Sequence, residues 1–181
     1  MRLATTVPTG DPRRSGALFA ELEALRYDTA FSFESKHDPF LPLALASTTT
    51  SALRLGTAVA IGFARNPMVL ANVGYDLQVI TEGRFVLGIG SQVRPHIEHR
   101  FSETWSPPAA RMAEMVRAVK AIWATWEGEG PLDFRGRFYD PTIMIPAFDP
   151  GPNPSGPPPV VTGGVPPKTS FVRARSAAVS F

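Results

Sequence analysis

The residues from Arg54 to Arg100 read RLGTAVAIGFARNPMVLANVGYDLQVITEGRFVLGIGSQVRPHIEHR. Leu55 to Ile61 is an apolar, strand-like run that ends in small and polar residues. Asn66-Pro67 then opens a helix-like run, Met68 to Ile80, since Asn suits a helix cap and Pro the first helical position. The turn Glu82-Gly83-Arg84 feeds a second apolar run, Phe85 to Ile89, which stops at Gly90-Ser91-Gln92. The stretch is a β-α-β unit with its polar residues gathered after each strand. In parallel α/β folds that is the end where ligands and chemistry sit.

The same alternation extends in both directions. Arg2 to Val7 reads as a first strand, and Asp11-Pro12 starts a helix running from about Arg13 to Leu25. Tyr27 to Phe33 reads as strand two, and Phe40 to Thr50 as a helix with Pro42 near its start. Strand three is expected over Leu53 to Ile61, helix three over Pro67 to Ile80, and strand four over Arg84 to Ile89. Pro107-Pro108 opens a long helix, Ala109 to Trp126, with Met112, Met115, Val116, Val119, Ile122 and Trp123 on its apolar side. Pro131 to Ile145 suits two short strands of a hairpin, and Pro158 to Thr162 a fifth strand before Gly163-Gly164. Repeated β-α alternation predicts a parallel sheet with right-handed crossovers and a partial (β/α)-barrel of about four to five units plus an insert. A complete barrel takes about eight units and about 250 residues.

Composition narrows the function classes. The chain has 181 residues, 44% hydrophobic and 19% charged, as a globular domain does. It has no cysteine, which excludes a disulfide framework, a thiolate metal site and a cysteine nucleophile. A net charge of +2 carries no nucleic-acid footprint. No apolar run reaches the roughly 20 residues of a membrane span, and no signal-type segment opens the chain, so a cytoplasmic protein is expected. The chain has 19 prolines, most concentrated between Pro141 and Pro167, and the proline-rich insert at 141–160 reads as an extended loop.

Several residues at strand ends bear chemistry. His37 lies in a polar loop after strand two, where an imidazole is suited to moving a proton near neutral pH or to capping the next helix. Glu34 and Asp38 flank it, to orient the ring or, for Asp38, to cap helix two. Thr57, Ala58 and Val59 lie on strand three, with small side chains at Thr57 and Ala58. Gly90, Ser91 and Gln92 follow strand four, with a permissive backbone and hydrogen-bond donors. Arg94, His96, His99 and Arg100 form a basic cluster suited to an anionic group, or a solvated helix start. His96 and His99 lack an evident third metal ligand. Gly88-Ile89-Gly90 is not a dinucleotide fingerprint, because the third glycine is missing. Any pocket is expected at the carboxyl ends of the strands, lined by His37, Thr57, Ala58, Gly90 and Ser91.

Taken in order, SFESKHDPFLPLALASTTT, RLGTAVAIGFARNPMVLANVGYDLQ, GRFVLGIGSQVRPHIEHRF, WSPPAARMAEMVRAVKAIW and LDFRGRFY resemble the first half of a luciferase-like oxidoreductase, in the branch that uses the deazaflavin coenzyme F420. The resemblance covers about Arg2 to Gly164. It implies the N-terminal part of a TIM barrel over residues 1–164, with 165–181 a divergent tail. It also implies F420 or, alternatively, FMN as coenzyme, a small-molecule substrate, and His37 as the catalytic residue. Thr57, Ala58, Val59, Gly90, Ser91 and Gln92 are implied as coenzyme neighbours, with a non-prolyl cis peptide in strand three behind the ring. Some relatives carry a glutamate acid soon after strand four. Gln92 and Val93 stand there, and a glutamine cannot donate the proton. The expected reaction is hydride transfer to or from the deazaflavin, or flavin-dependent monooxygenation, with low activity in a half barrel. The competing expectation is a non-catalytic remnant that self-associates through open barrel edges as a homo-oligomer.

Overall fold

The computed structural model describes residues 3–8 and 10–163. Strands β1 (Ala4–Val7), β2 (Thr29–Ser32), β3 (Arg54–Thr57), β4 (Ala60–Ile61), β5 (Phe85–Gly90) and β6 (Val160–Thr162) form one sheet in which every pairing is parallel. Helices α1 (Ser15–Ala24), α2 (Leu41–Ser47), α3 (Pro67–Ile80), α4 (Arg94–His99) and α5 (Pro108–Trp126) lie between the strands in sequence. β3 and β4 pair with the same edge of β5, through Leu55 with Phe85 and Ala60 with Ile89. They are therefore two pieces of one strand position, separated at Ala58–Val59, whose peptide bond is cis. The sheet has five strand positions in chain order, as the start of a barrel does.

Local chemistry explains the element boundaries. Asp11 accepts from the Arg13 N–H and starts the first helical turn, while Asn66 accepts from the Val69 N–H at the start of α3. Asp38 accepts from the Phe40 and Leu41 N–H groups and caps α2. One face of the sheet packs on the helices. Ala30, Leu55, Phe85, Leu87 and Ile89 are fully buried there, together with Met115, Val119, Ile122 and Trp123 of α5.

The expected hairpin at 131–145 contains no strand. Its arms share two backbone hydrogen bonds, Phe134 N–H to the Pro141 carbonyl and Gly136 N–H to the Tyr139 carbonyl. Two features stop the ladder there. Pro131 and Pro141 bring no N–H, and the buried Glu114 carboxylate of α5 takes the Phe138 and Tyr139 N–H groups. The proline-rich insert is pinned rather than free. Asn153 is buried, with its side-chain amide on the Tyr75 carbonyl and its N–H on Glu127, which also accepts from the Tyr75 hydroxyl. The tail 165–181 lies outside the described residues.

Candidate active site

Because all strands are parallel, their carboxyl ends share one rim, and the loops that follow β2, β3 and β5 meet there. The contacts between them are direct. Ala58 N–H donates to the Ser32 carbonyl at 2.7 Å, and Glu34 N–H donates to the Val59 carbonyl at 3.2 Å. Gly90 faces Val59, and a Cβ on Gly90 would lie 2.7 Å from Val59 Cγ2. Glu34, Ala58, Val59 and Gly90 are thus brought together at the ends of β2, β3 and β5.

Thr57 plays a part the sequence does not reveal. Its side chain is fully buried, its hydroxyl donates to the Gly88 carbonyl at 2.6 Å, and it accepts from the Gly88 N–H at 2.9 Å. That hydroxyl replaces ladder bonds where β3 stops, so it holds the strand end and offers no free group to a ligand. Gly88 is forced by this contact, since a Cβ there would sit 1.7 Å from the Thr57 carbonyl oxygen. Ala58 is exposed and Val59 half-buried.

The carboxylates beside His37 do not orient it. Glu34 accepts from the Ile61 N–H and from Arg65 Nη1 at 2.6 Å, and Asp38 accepts from Arg65 Nη2 at 3.1 Å. Arg65 is only 15% exposed and also stacks over the Phe40 ring at 5.4 Å. The guanidinium therefore bridges the two residues that bracket His37, and both carboxylates are spent on it. Arg100 donates to the Ser35 carbonyl, tying the end of α4 to the same loop. His37 itself is half-buried. It lies near Asp11 of the preceding rim loop: hydrogen bonds from Arg13, chiefly, and the charges of Arg14 and His37 hold the Asp11 carboxyl below its ordinary value.

After β5 the backbone turns sharply. Gln92 has φ of 60°, a left-handed conformation that is uncommon for a residue with a side chain. Its side-chain oxygen accepts from the Val93 N–H, and the Ser91 hydroxyl donates to the Gln92 carbonyl. Of the basic cluster, Arg94 is paired with Glu98 at 3.0 Å and Arg100 holds the 34–38 loop, which leaves His96 and His99 exposed. Among the described residues no three potential metal ligands cluster.

Neither of two clefts in the structure lies at the expected rim. Two clefts, of about 400 and 620 Å3, lie instead along the insert, the first against Met68, Tyr75 and Trp126 and the second against Leu132 and Pro146. None of the expected lining residues faces either cleft.

The sequence matches the family of luciferase-like monooxygenases over residues 2–181, a span that includes 165–181. The chain belongs to the luciferase-like monooxygenase family. An uncharacterised protein of Mycobacterium tuberculosis is 49% identical over 154 residues, covering 85% of this chain and 45% of that protein. The coenzyme F420-dependent tetrahydromethanopterin reductase of Methanopyrus kandleri has the same fold, with a TM-score of 0.65 at 21% identity over 81% of this chain and 46% of the reductase. So does the oxygenating constituent of the Pseudomonas putida 3,6-diketocamphane monooxygenase, solved with FMN, with a TM-score of 0.67 at 17% identity over 90% of this chain and 51% of that chain. The chain spans about half the length of these luciferase-like relatives. Among the described residues no helix is long and apolar enough to cross a membrane.

Arg65, the tie of Arg100 to the Ser35 carbonyl and the buried role of Thr57 escape sequence reasoning. Arg65 stands one residue before the Asn66 cap of α3. It is separated from the end of β4 by the turn Gly62–Ala64, and its two carboxylate partners are about 30 residues away in the chain, a separation no local pattern records.

Proposed function

We propose that this chain supplies the coenzyme-facing rim of a luciferase-like oxidoreductase that takes F420, with FMN as the alternative, and acts on a small-molecule substrate. The observation that carries the reading is the meeting of the 34–38, 57–59 and 90–92 segments at one end of the parallel sheet. The residues fit a flat ring. Ala58 is exposed and small, and Gly90 leaves no side chain beside Val59. Either coenzyme supplies hydride or flavin chemistry when bound.

The chain's own residues do the rest. The backbone of 57–59, held by Thr57 on Gly88, backs the ring. Gly90, Ser91 and Gln92 border it from β5. His37, in a loop braced by Arg65 and Arg100, holds or moves a proton at the imidazole, a group whose ordinary pKa lies near neutrality. Gln92 orients by hydrogen bonding and transfers no proton. His96 and His99 stand ready for an anionic group.

The test is a titration with F420 and with FMN in parallel, on this chain and on a full-length relative, read by absorbance and fluorescence. Binding of one coenzyme to both proteins, weaker for this chain, is expected. If neither coenzyme binds the relative or this chain, the reading falls.

A further inference from the structure

We infer that the cleft between α3, α5 and the proline-rich insert is a binding site for a small organic cation, an amine with an apolar or aromatic body. The cleft holds about 400 Å3, and its walls come from those three segments. It lies outside the coenzyme-facing rim and does not depend on it, since none of His37, Thr57, Ala58, Gly90 and Ser91 lines it.

The walls are apolar and held in place. Trp126, Phe148, Met68 and Met144 supply them. The Trp126 indole N–H donates to Met144 Sδ at 3.4 Å, and the Trp126 ring lies 5.0 Å from the Tyr75 ring. The Tyr75 hydroxyl donates to Glu127 at 2.6 Å and lies 3.0 Å from the Gly151 carbonyl, which fixes the insert against α3. Those polar groups are spent on one another and ask nothing of a ligand. Phe148 differs. It is 72% exposed, and its ring has no aromatic or cationic partner among the described residues. A concave, mostly apolar site with a few polar groups is the usual form of a small-molecule site.

Charge chooses the occupant. Asp76 and Asp149 both line the cleft, and no lysine, arginine or histidine does. One Asp149 oxygen accepts the Gly151 N–H, which fixes that carboxylate and leaves its second oxygen over. Asp76 pairs with no cationic side chain among the described residues. It keeps contact with solvent, yet the walls strip part of its hydration and hold its carboxyl above the ordinary aspartate value. A cation brought to it restores what that hydration supplied, through a charge-assisted hydrogen bond. The same cation gains from an aromatic ring beside it. An anion would meet two carboxylates, and a neutral ligand would leave Asp76 uncompensated.

The probe is phenethylammonium, set against phenethyl alcohol and hydrocinnamate, which keep the ring and change the charge. Binding to the 181-residue chain is followed by calorimetry and by the indole N–H resonance of Trp126. The amine is expected to bind with a dissociation constant of about 1 mM or tighter. It should bind more tightly than the alcohol or the carboxylate by a factor of about ten or more. Asp76→Asn should bring the amine down to the affinity of the alcohol, and Phe148→Ala should weaken it about threefold or more. Both side chains are exposed, so thermal unfolding of the variants should match that of the parent chain. Absence of binding, equal affinity for the three probes, or an amine that leaves the Trp126 resonance unmoved overturns the inference. So does an Asp76→Asn chain that binds the amine as the parent does, or a dimer, seen by light scattering, that shuts the amine out. The coenzyme titration reads a different face, so the two readings fail separately.

Discussion

Thr57 spends its entire side chain on one neighbour, and that determines what a substitution there does. Thr57→Val keeps the shape but leaves the Gly88 N–H and carbonyl unpaired in a buried place. A cost of about 2–4 kcal/mol in urea unfolding is expected. Thr57→Ser keeps the hydroxyl and should recover most of it; equal losses for the two variants would refute the hydroxyl's role. Gly88→Ala cannot be accommodated without moving β3, given the 1.7 Å approach, and is expected not to fold. His37 makes the opposite kind of prediction, on activity alone. Once coenzyme is bound, His37→Gln should lower single-turnover rate by about a hundredfold or more while stability stays unchanged. A stability loss with an unchanged rate would make His37 a structural residue. Arg65 separates the two effects. Arg65→Met removes the bridge between Glu34 and Asp38, so it should lower the single-turnover rate by loosening the loop that carries His37 without replacing any group that meets the ring, and an unchanged rate would show that the bridge does not position His37.

At the scale of elements, Glu114 of α5 holds the 137–139 turn. Burial would raise its pKa, but the N–H groups of Phe138, Tyr139 and Arg137 donate to the carboxylate and hold it below the ordinary glutamate value. A depressed folded-state pKa contributes stability that is present above the unfolded value, about 4.3, and is lost as the pH falls through the folded one. Stability should therefore fall with acid below about pH 4.3, and Glu114→Gln should remove part of that slope. An unchanged slope in the variant would show that the turn does not depend on the charge. The regular elements were legible in the sequence because their signals are local. Pro67 to Ile80 carries its own cap and periodicity, and α3 has those bounds. Pro158 to Thr162 was legible as strand because β-branched residues sit between a proline run and glycines. The break of β3 from β4 at the cis Ala58–Val59 peptide was expected only through the family resemblance, and the unladdered turn at 131–145 depends on a partner far off in the chain, Glu114, and so was not legible. At the site, the strand ends were legible because they are local, and the structure ties Glu34 and Gly90 to Val59. The sequence could not show that Glu34 and Asp38 serve Arg65 instead of His37.

For the whole molecule, the ratio between this chain and a full-length relative is the informative quantity. A rim of five strand positions gives part of the coenzyme contacts, and binding energy from remote groups is what positions a reacting ring. Turnover per mole by the 181-residue chain should be far below that of a relative, and comparable turnover would contradict this. The pinned insert has a separate consequence, for proteolysis. Arg135 and Arg137 are exposed, and the described residues beyond them contain no lysine or arginine. Trypsin should therefore nick the chain at this turn and leave the insert whole. The two pieces should then stay together on a sizing column, because Asn153 is hooked between Tyr75 and Glu127 and β6 is zipped to β5. Only denaturant should part them, so a nicked preparation would run as one species under native conditions and as two bands on a denaturing gel.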